Sequence, residues 1–236
     1  MSSVAIVGGT GLVGSHILSS LLGFASISSV SALARRQPNA QDPGNKLKAT
    51  ISADSSSWPG QVASLQPTPR VFFSALGTTR GIAGGFENQK KIDLDLNVAL
   101  AKAALDAGIK IYVLISSGAV SKSSPFGYSS MKGELEEAVK ELGFDKVVLV
   151  KSGLIVGDRV DSRPPEAVLR VIARFAGAIS GGKLKDFWAQ DADIIGKAAA
   201  HAGLQCLTGE APPGKVWEVG GPDVMRLGKS EWKDNL

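Results

Sequence analysis

Cysteine is nearly absent from this chain, Cys206 being the only one in 236 residues. A single thiol excludes an intrachain disulfide and a Cys-rich metal site, and makes a reducing compartment the expectation. Histidine is as scarce: His16 and His201 are too few for a His-based metal centre, and both are expected in packing or surface roles. No metal site is therefore expected. No stretch reaches the roughly 18 consecutive apolar residues that cross a bilayer, and the first expected strand begins too early to leave room for a cleaved presequence. An excess of one charge is missing too. The net charge is +4, with the basic residues scattered, which suits a small anionic ligand and gives no footprint for nucleic acid. With 44% hydrophobic and 20% charged residues the chain can bury a core, and its length fits one α/β domain spanning residues 1–236.

Glycine, by contrast, is concentrated near the start. Val4–Val7 reads as a buried strand, followed by Gly8-Gly9-Thr10-Gly11-Leu12-Val13-Gly14 and then a helical pattern from about Leu12 to Leu22. Strand, glycine-rich turn and helix together are the context of a dinucleotide site. Two spacings fit at once, Gly9-x-Gly11-x-x-Gly14 and Gly8-x-x-Gly11-x-x-Gly14. Both meet the same need: a tight turn, bare backbone beside a pyrophosphate, and a helix N-terminus offering N–H donors.

Further strands are expected at Val30–Ala34, Leu47–Ile51, Arg70–Leu76, Ile109–Ser117, Lys146–Ile155 and Val216–Val219, and helices at Lys90–Gly108, Tyr128–Leu142 and Ala192–Leu207. Trp58-Pro59-Gly60 is expected to break any long helix, and Thr78–Phe86 to form a glycine-rich loop near the nicotinamide end. The alternation predicts a Rossmann-type, doubly wound parallel sheet with helices on both faces. Arg35 and Arg36 follow the second strand, where a dinucleotide fold places the adenosine ribose. Two guanidinium groups there favour a 2′-phosphate, hence NADP(H) over NAD(H). Asp54, after the third strand, is placed to reach the adenine amino group.

Tyr128-Ser-Ser-Met-Lys132 sets a phenol and an ammonium four residues apart, on one helix face. A tyrosine of pKa about 10 exchanges its proton more readily beside a Lys⁺ and an oxidised nicotinamide. Ser117, at the tip of the preceding strand, is placed to hydrogen-bond a substrate oxygen as charge develops on it.

With these three features in order, the chain resembles the short-chain dehydrogenase/reductase superfamily over nearly its full length. It is most similar to the atypical branch that includes the human Tat-interacting protein and fungal mitochondrial-proteome proteins. That closer resemblance rests on Leu76-Gly-Thr-Thr-Arg-Gly-Ile-Ala-Gly84, Ser116-Ser117-Gly-Ala, Lys122-Ser-Ser-Pro-Phe-Gly-Tyr128, Lys132-Gly-Glu and Gly157-Asp-Arg-Val-Asp-Ser-Arg-Pro164. It implies an NADP(H)-dependent reaction on a small carbonyl or alcohol. Tyr128 would be the acid/base, Lys132 the group that tunes it and holds the nicotinamide ribose, and Ser117 the substrate-orienting hydroxyl, with Ser116 as the fallback. The implied cofactor contacts are Gly8, Thr10, Gly11, Leu12, Val13, Gly14, Arg35, Arg36, Asp54, Leu76, Gly77, Ser116, Tyr128, Lys132 and Leu154. Two positions depart from the pattern: Asp93 takes the place of an asparagine that holds a relay water, and Lys151-Ser152-Gly153 replaces Arg/Lys-Pro-Gly. They motivate the alternative, an NADPH-sensing interaction protein with little turnover.

In the last third, Val168, Leu169, Ile172, Phe175, Ala176 and Ile179 form one stripe of an expected helix, with Arg170 and Arg174 off it. A wall of the substrate site is one reading; a membrane-surface or partner helix is the other. The resemblance implies peripheral association with the mitochondrial outer membrane, a cytoplasmic location being the alternative. The helix Ala192–Leu207 and the strand Val216–Val219 are assigned to a small substrate-side lobe.

Overall fold

The computed structural model describes residues 1–156 and 189–233. Alternation of side chains across apolar strands builds its centre. In β1 (Ser2–Val7), Val4 and Ile6 face one hydrophobic layer while Ala5 and Val7 face the other. The other strands of the sheet are β2 (Ile27–Ala34), β3 (Leu47–Ile51), β4 (Val71–Ser74), β5 (Ile111–Ser117), β6 (Lys146–Ser152) and β9 (Val216–Val219). Their order is β3-β2-β1-β4-β5-β6-β9, and every pairing is parallel. A sheet that starts at its middle and winds outward both ways leaves a crevice at the carboxyl ends of β1 and β4. The doubly wound sheet expected from sequence is present.

One face carries α1 (Leu12–Gly23) and α7 (Ala192–Thr208), through Ile17, Leu18, Leu21, Ile195, Ala199 and Ala202. The opposite face carries α2 (Trp58–Ala63), α5 (Asn97–Asp106) and α6 (Gly127–Glu141), through Trp58, Leu100, Met131 and Leu135. Leu154–Val156 (β7) and Ala189–Asp191 (β8) pair as a separate two-stranded ribbon. The stripe over residues 166–179 and the loop that follows it lie outside the described residues.

Several sequence assignments change: the strand expected over Lys146–Ile155 ends at Ser152, and a short helix, Arg80–Ala83, forms inside the loop expected over Thr78–Phe86. Pro59 opens a helix rather than breaking one: at the N-terminal end of α2 its missing N–H costs nothing. The helix expected from Lys90 begins earlier, at Phe86, and runs without a break through α4 (Phe86–Lys90), a π-helical segment Lys91–Leu96 and α5. The helix and strand assigned to the substrate-side lobe belong to the main body. Strand β9 is hydrogen-bonded to β6 through Val147–Val150, and α7 packs on α1.

The contact between α7 and α1 is close enough to test. A Cβ on Gly196 would lie 2.5 Å from the His16 Cβ and 3.0 Å from backbone atoms of α1, which only separation of the helices relieves. Gly196→Ala is expected to destabilise the chain by about 1–3 kcal/mol, read as a lower urea midpoint. An unchanged midpoint would mean that α7 does not dock there.

Candidate dinucleotide and catalytic site

Gly8 is left-handed at φ 77°, and a Cβ on it would lie 2.4 Å from the Ala75 carbonyl oxygen at the end of β4. A Cβ on Gly14 would lie 2.1 Å from the Gly8 oxygen. Gly9 has room, its nearest neighbour being 3.6 Å away. The Gly8-x-x-Gly11-x-x-Gly14 spacing is therefore the one the geometry needs. Gly11 N–H donates to Gly8 O at 2.9 Å, and α1 begins at Leu12 with no side-chain cap and no acidic residue in its first turn. Its leading N–H groups, with Thr10, Leu12 and Val13 around them, face the crevice with the helix's positive end.

Arg35 and Arg36 are exposed directly after β2, the strand beside β1. Asp54 is exposed after β3, where its carboxylate accepts from Ser56 N and Oγ at 2.9 and 2.7 Å. These bonds hold its pKa below the usual carboxylate range. Leu76 and Gly77 follow β4 at the same edge, and Leu154 stands in β7 just beyond β6.

Helix α6 brings Tyr128 and Lys132 to this edge. Tyr128 is 47% exposed, whereas Lys132 is only 6% exposed, and no hydrogen bond to the Lys132 ammonium is found among the described residues. Burial lowers its proton affinity, opposed by the carboxylates of Asp93 and Glu136. For Tyr128, burial and the Asp93 charge both raise the pKa, so the phenol keeps its proton. The lowering by Lys132 expected from sequence is not among the influences on Tyr128, which are burial and the Asp93 charge.

The two candidate serines separate cleanly. Ser116 lies on the α6 side of the sheet, 4% exposed, and donates to Glu136 Oε1 at 2.5 Å. Ser117 points to the other side of the strand tip, half-buried, and its hydroxyl has no partner among the described residues. Ser116 is thus committed to packing while Ser117 is available to a ligand.

Asp93 sits in the π-helical segment, 1% exposed, with Oδ1 accepting from Thr78 N at 2.7 Å and Oδ2 from Gln89 Nε2 at 3.4 Å. Burial raises its pKa against the pull of Lys132. One turn on, Asn97 was not singled out in the sequence. Fully buried, it accepts from Ser74 Oγ at 2.6 Å and donates to Ile92 O and Asp93 O at 3.1 and 3.2 Å. It fastens the π turn that turns Asp93 toward Lys132. A polar residue inside the Leu96–Leu100 stripe was the signal. Lys151 lies 3.2 Å from both Glu136 and Glu218.

A bare glycine cradle, an uncapped helix N-terminus and a buried ammonium without hydrogen bonds fit a dinucleotide cofactor. The class is thus a dinucleotide-binding α/β protein. A family model described as NAD(P)H-binding matches residues 8–155. Among curated relatives, the protein named "Protein fmp52, mitochondrial" from Aspergillus niger is 54% identical over 235 residues, covering 98% of this chain and all of its own. The Coccidioides immitis protein of that name is 40% identical over 244 residues, covering 99% of each. The chain belongs to the NAD(P)H-binding family, among the fungal fmp52 proteins. Solved structures share the fold at low identity. The Bordetella bronchiseptica enzyme WbmF in complex with NAD+ superposes with a TM-score of 0.66 at 15% identity, over 100% of this chain and 81% of that one. The UDP-Glc/GlcNAc 4-epimerase of Campylobacter jejuni gives 0.66 at 17%, over 96% and 82%.

The serine assignment predicts opposite readouts. Ser116→Ala is expected to cost about 1.5–3 kcal/mol of stability, the range for a hydrogen bond to a charged group. Ser117→Ala should stay within about 0.5 kcal/mol of the parent. Chemical denaturation of the two variants measures both, and a reversed order would reverse the assignment.

Proposed function

We propose that the chain is an NADP(H)-dependent oxidoreductase of the short-chain dehydrogenase/reductase type acting on a small carbonyl substrate. The observation that carries the reading is convergence at one sheet edge. Ser117 ends β5 with its hydroxyl unpartnered among the described residues, and α6 carries the half-exposed Tyr128 and, one turn on, the buried Lys132. Arg35 and Arg36 favour the phosphorylated cofactor, since paired guanidinium groups suit a phosphate and no acidic residue occupies the end of β2.

When bound, NADPH supplies a hydride. The Lys132 ammonium would hold the nicotinamide ribose by hydrogen bonds. Tyr128 holds its proton on Oη and delivers it to the substrate oxygen. The raised pKa of the phenol keeps it in the acid form that carbonyl reduction needs. Ser117 Oγ donates to the same oxygen as negative charge builds there. Asp93 steadies the Thr78 backbone and faces Lys132, so that its carboxylate balances the buried cation.

A second reading keeps the cofactor and drops the turnover: an NADPH sensor associated peripherally with the mitochondrial outer membrane, binding lipid or a protein partner. It is supported by the mitochondrial naming of the relatives and by Phe126, 75% exposed beside Tyr128.

One variant addresses both readings. With NADPH and a panel of aldehydes and ketones, Tyr128→Phe is expected to lower turnover by at least about 100-fold and leave NADPH affinity within a few-fold. Undiminished turnover would remove Tyr128 from the chemistry. No turnover by the parent chain, with NADPH-dependent vesicle flotation retained in the variant, would favour the sensor.

A further inference from the structure

Glu136 is 3% exposed on α6, one turn beyond Lys132, and the reaction above gives it no task. Helix stability does not account for it. Lysine preceding glutamate is the poorer orientation of an intrahelical pair, and a buried carboxylate forfeits the hydration that a surface one keeps. Two strands hold it in place. Ser116 at the end of β5 donates to Oε1 at 2.5 Å, and Lys151 on β6 lies 3.2 Å from Oε2. Glu218 on β9 meets Lys151 from the other side at 3.2 Å. Behind α6 a cavity of about 580 Å³ opens, with Glu136 and Lys151 in its wall beside Lys122 and Lys140. Ser116 and Lys151 thus share one partner.

We propose that Glu136 is a positioning residue of the reductase site, a counter-ion that keeps the Lys132 ammonium charged beside Tyr128 and is itself held by Ser116 and Lys151. Its purpose rests on the reductase reading; its test does not. The charged groups acting on Lys132 are Asp93 on the π-helical segment and Glu136 one turn on along its own helix, and Asp93 acts on Tyr128 as well. Beyond Glu136 stand Lys151 and Glu218, with Lys140 3.7 Å from Glu218 and 2.9 Å from Glu137. Asp93 is the first carboxylate opposing the burial of Lys132, with its oxygens shared between the Thr78 N–H and Gln89. Glu136 is the second carboxylate opposing the burial that drives Lys132 toward the neutral amine. The direction follows. Without the Glu136 charge, Lys132 gives up its proton at lower pH, and any step that needs the ammonium loses the top of its pH range.

The experiment uses the full chain labelled with ¹³C at lysine Cε, whose shift reports each amine's titration, with the Lys132 signal assigned by its loss in Lys132→Arg. Glu136→Gln keeps the shape and removes the charge. The Lys132 midpoint is expected to fall by about one pH unit, a tenfold loss of proton affinity. Glu136→Asp, which keeps a charge, and Glu137→Gln, on the outer side of the helix, should leave it near the parent value. Should Glu136→Gln fail to fold because Lys151 then faces an uncharged partner, Glu136→Leu with Lys151→Met removes the pair together. The midpoint should still fall, by less, because a cation leaves with the anion. A merely structural role would lower the unfolding midpoint and leave the titration alone, and an unmoved midpoint in a folded variant overturns the proposal. Absence of turnover in the parent chain would sink the reductase reading while leaving the titration readable.

Discussion

One carbonyl oxygen governs the geometry of this protein. Gly8 O accepts from Gly11 N at 2.9 Å, and the space beside it, where a Gly14 Cβ would lie 2.1 Å away, must stay empty. Because Gly8 turns left-handed against Ala75, β1 ends hard against β4 and α1 starts at once, its first N–H groups at the sheet edge. Larger side chains at Gly8 or Gly14 would push helix from strand and remove the crevice in which a pyrophosphate fits. The edge residues Arg35, Leu76, Gly77 and Ser117 take their places relative to that turn.

The other constraint is electrostatic. Lys132 is buried one turn beyond Tyr128 on α6, and a buried ammonium persists only where anions face it. The fold supplies them by distorting one helix and bracing another. Asn97 ties Ser74 to the π turn that presents Asp93, while Ser116 and Lys151 seat Glu136 behind α6. Each side of Lys132 thus depends on a polar residue that never reaches the crevice.

Much of this was legible in the sequence because it depends on local pattern. The glycine turn, the alternation of strand and helix, and the four-residue step from Tyr128 to Lys132 are short-range features, and the structure keeps them. What was not legible depends on distance in space. Strand β9 pairs with β6 across about seventy residues of sequence, and parallel partners leave no turn signature to announce themselves. Pro59 reads equally well as a helix breaker or a helix opener until its position in α2 is known. Glu136 stands in a run of charged residues resembling a solvated face, and only the fold puts Ser116 and Lys151 against it. The choice between Ser116 and Ser117 follows from strand alternation once α6 is known to cover one face.

In the proposed function this edge holds a phosphorylated dinucleotide between the glycine cradle and the arginines. Titration calorimetry of the full chain with NADPH and with NADH tests it most directly. NADPH is expected to bind at least about tenfold more tightly, a difference of about 1.4 kcal/mol, and Arg35→Ala with Arg36→Ala should bring the two cofactors together. Equal affinities in the parent chain, or binding of neither cofactor, would contradict it.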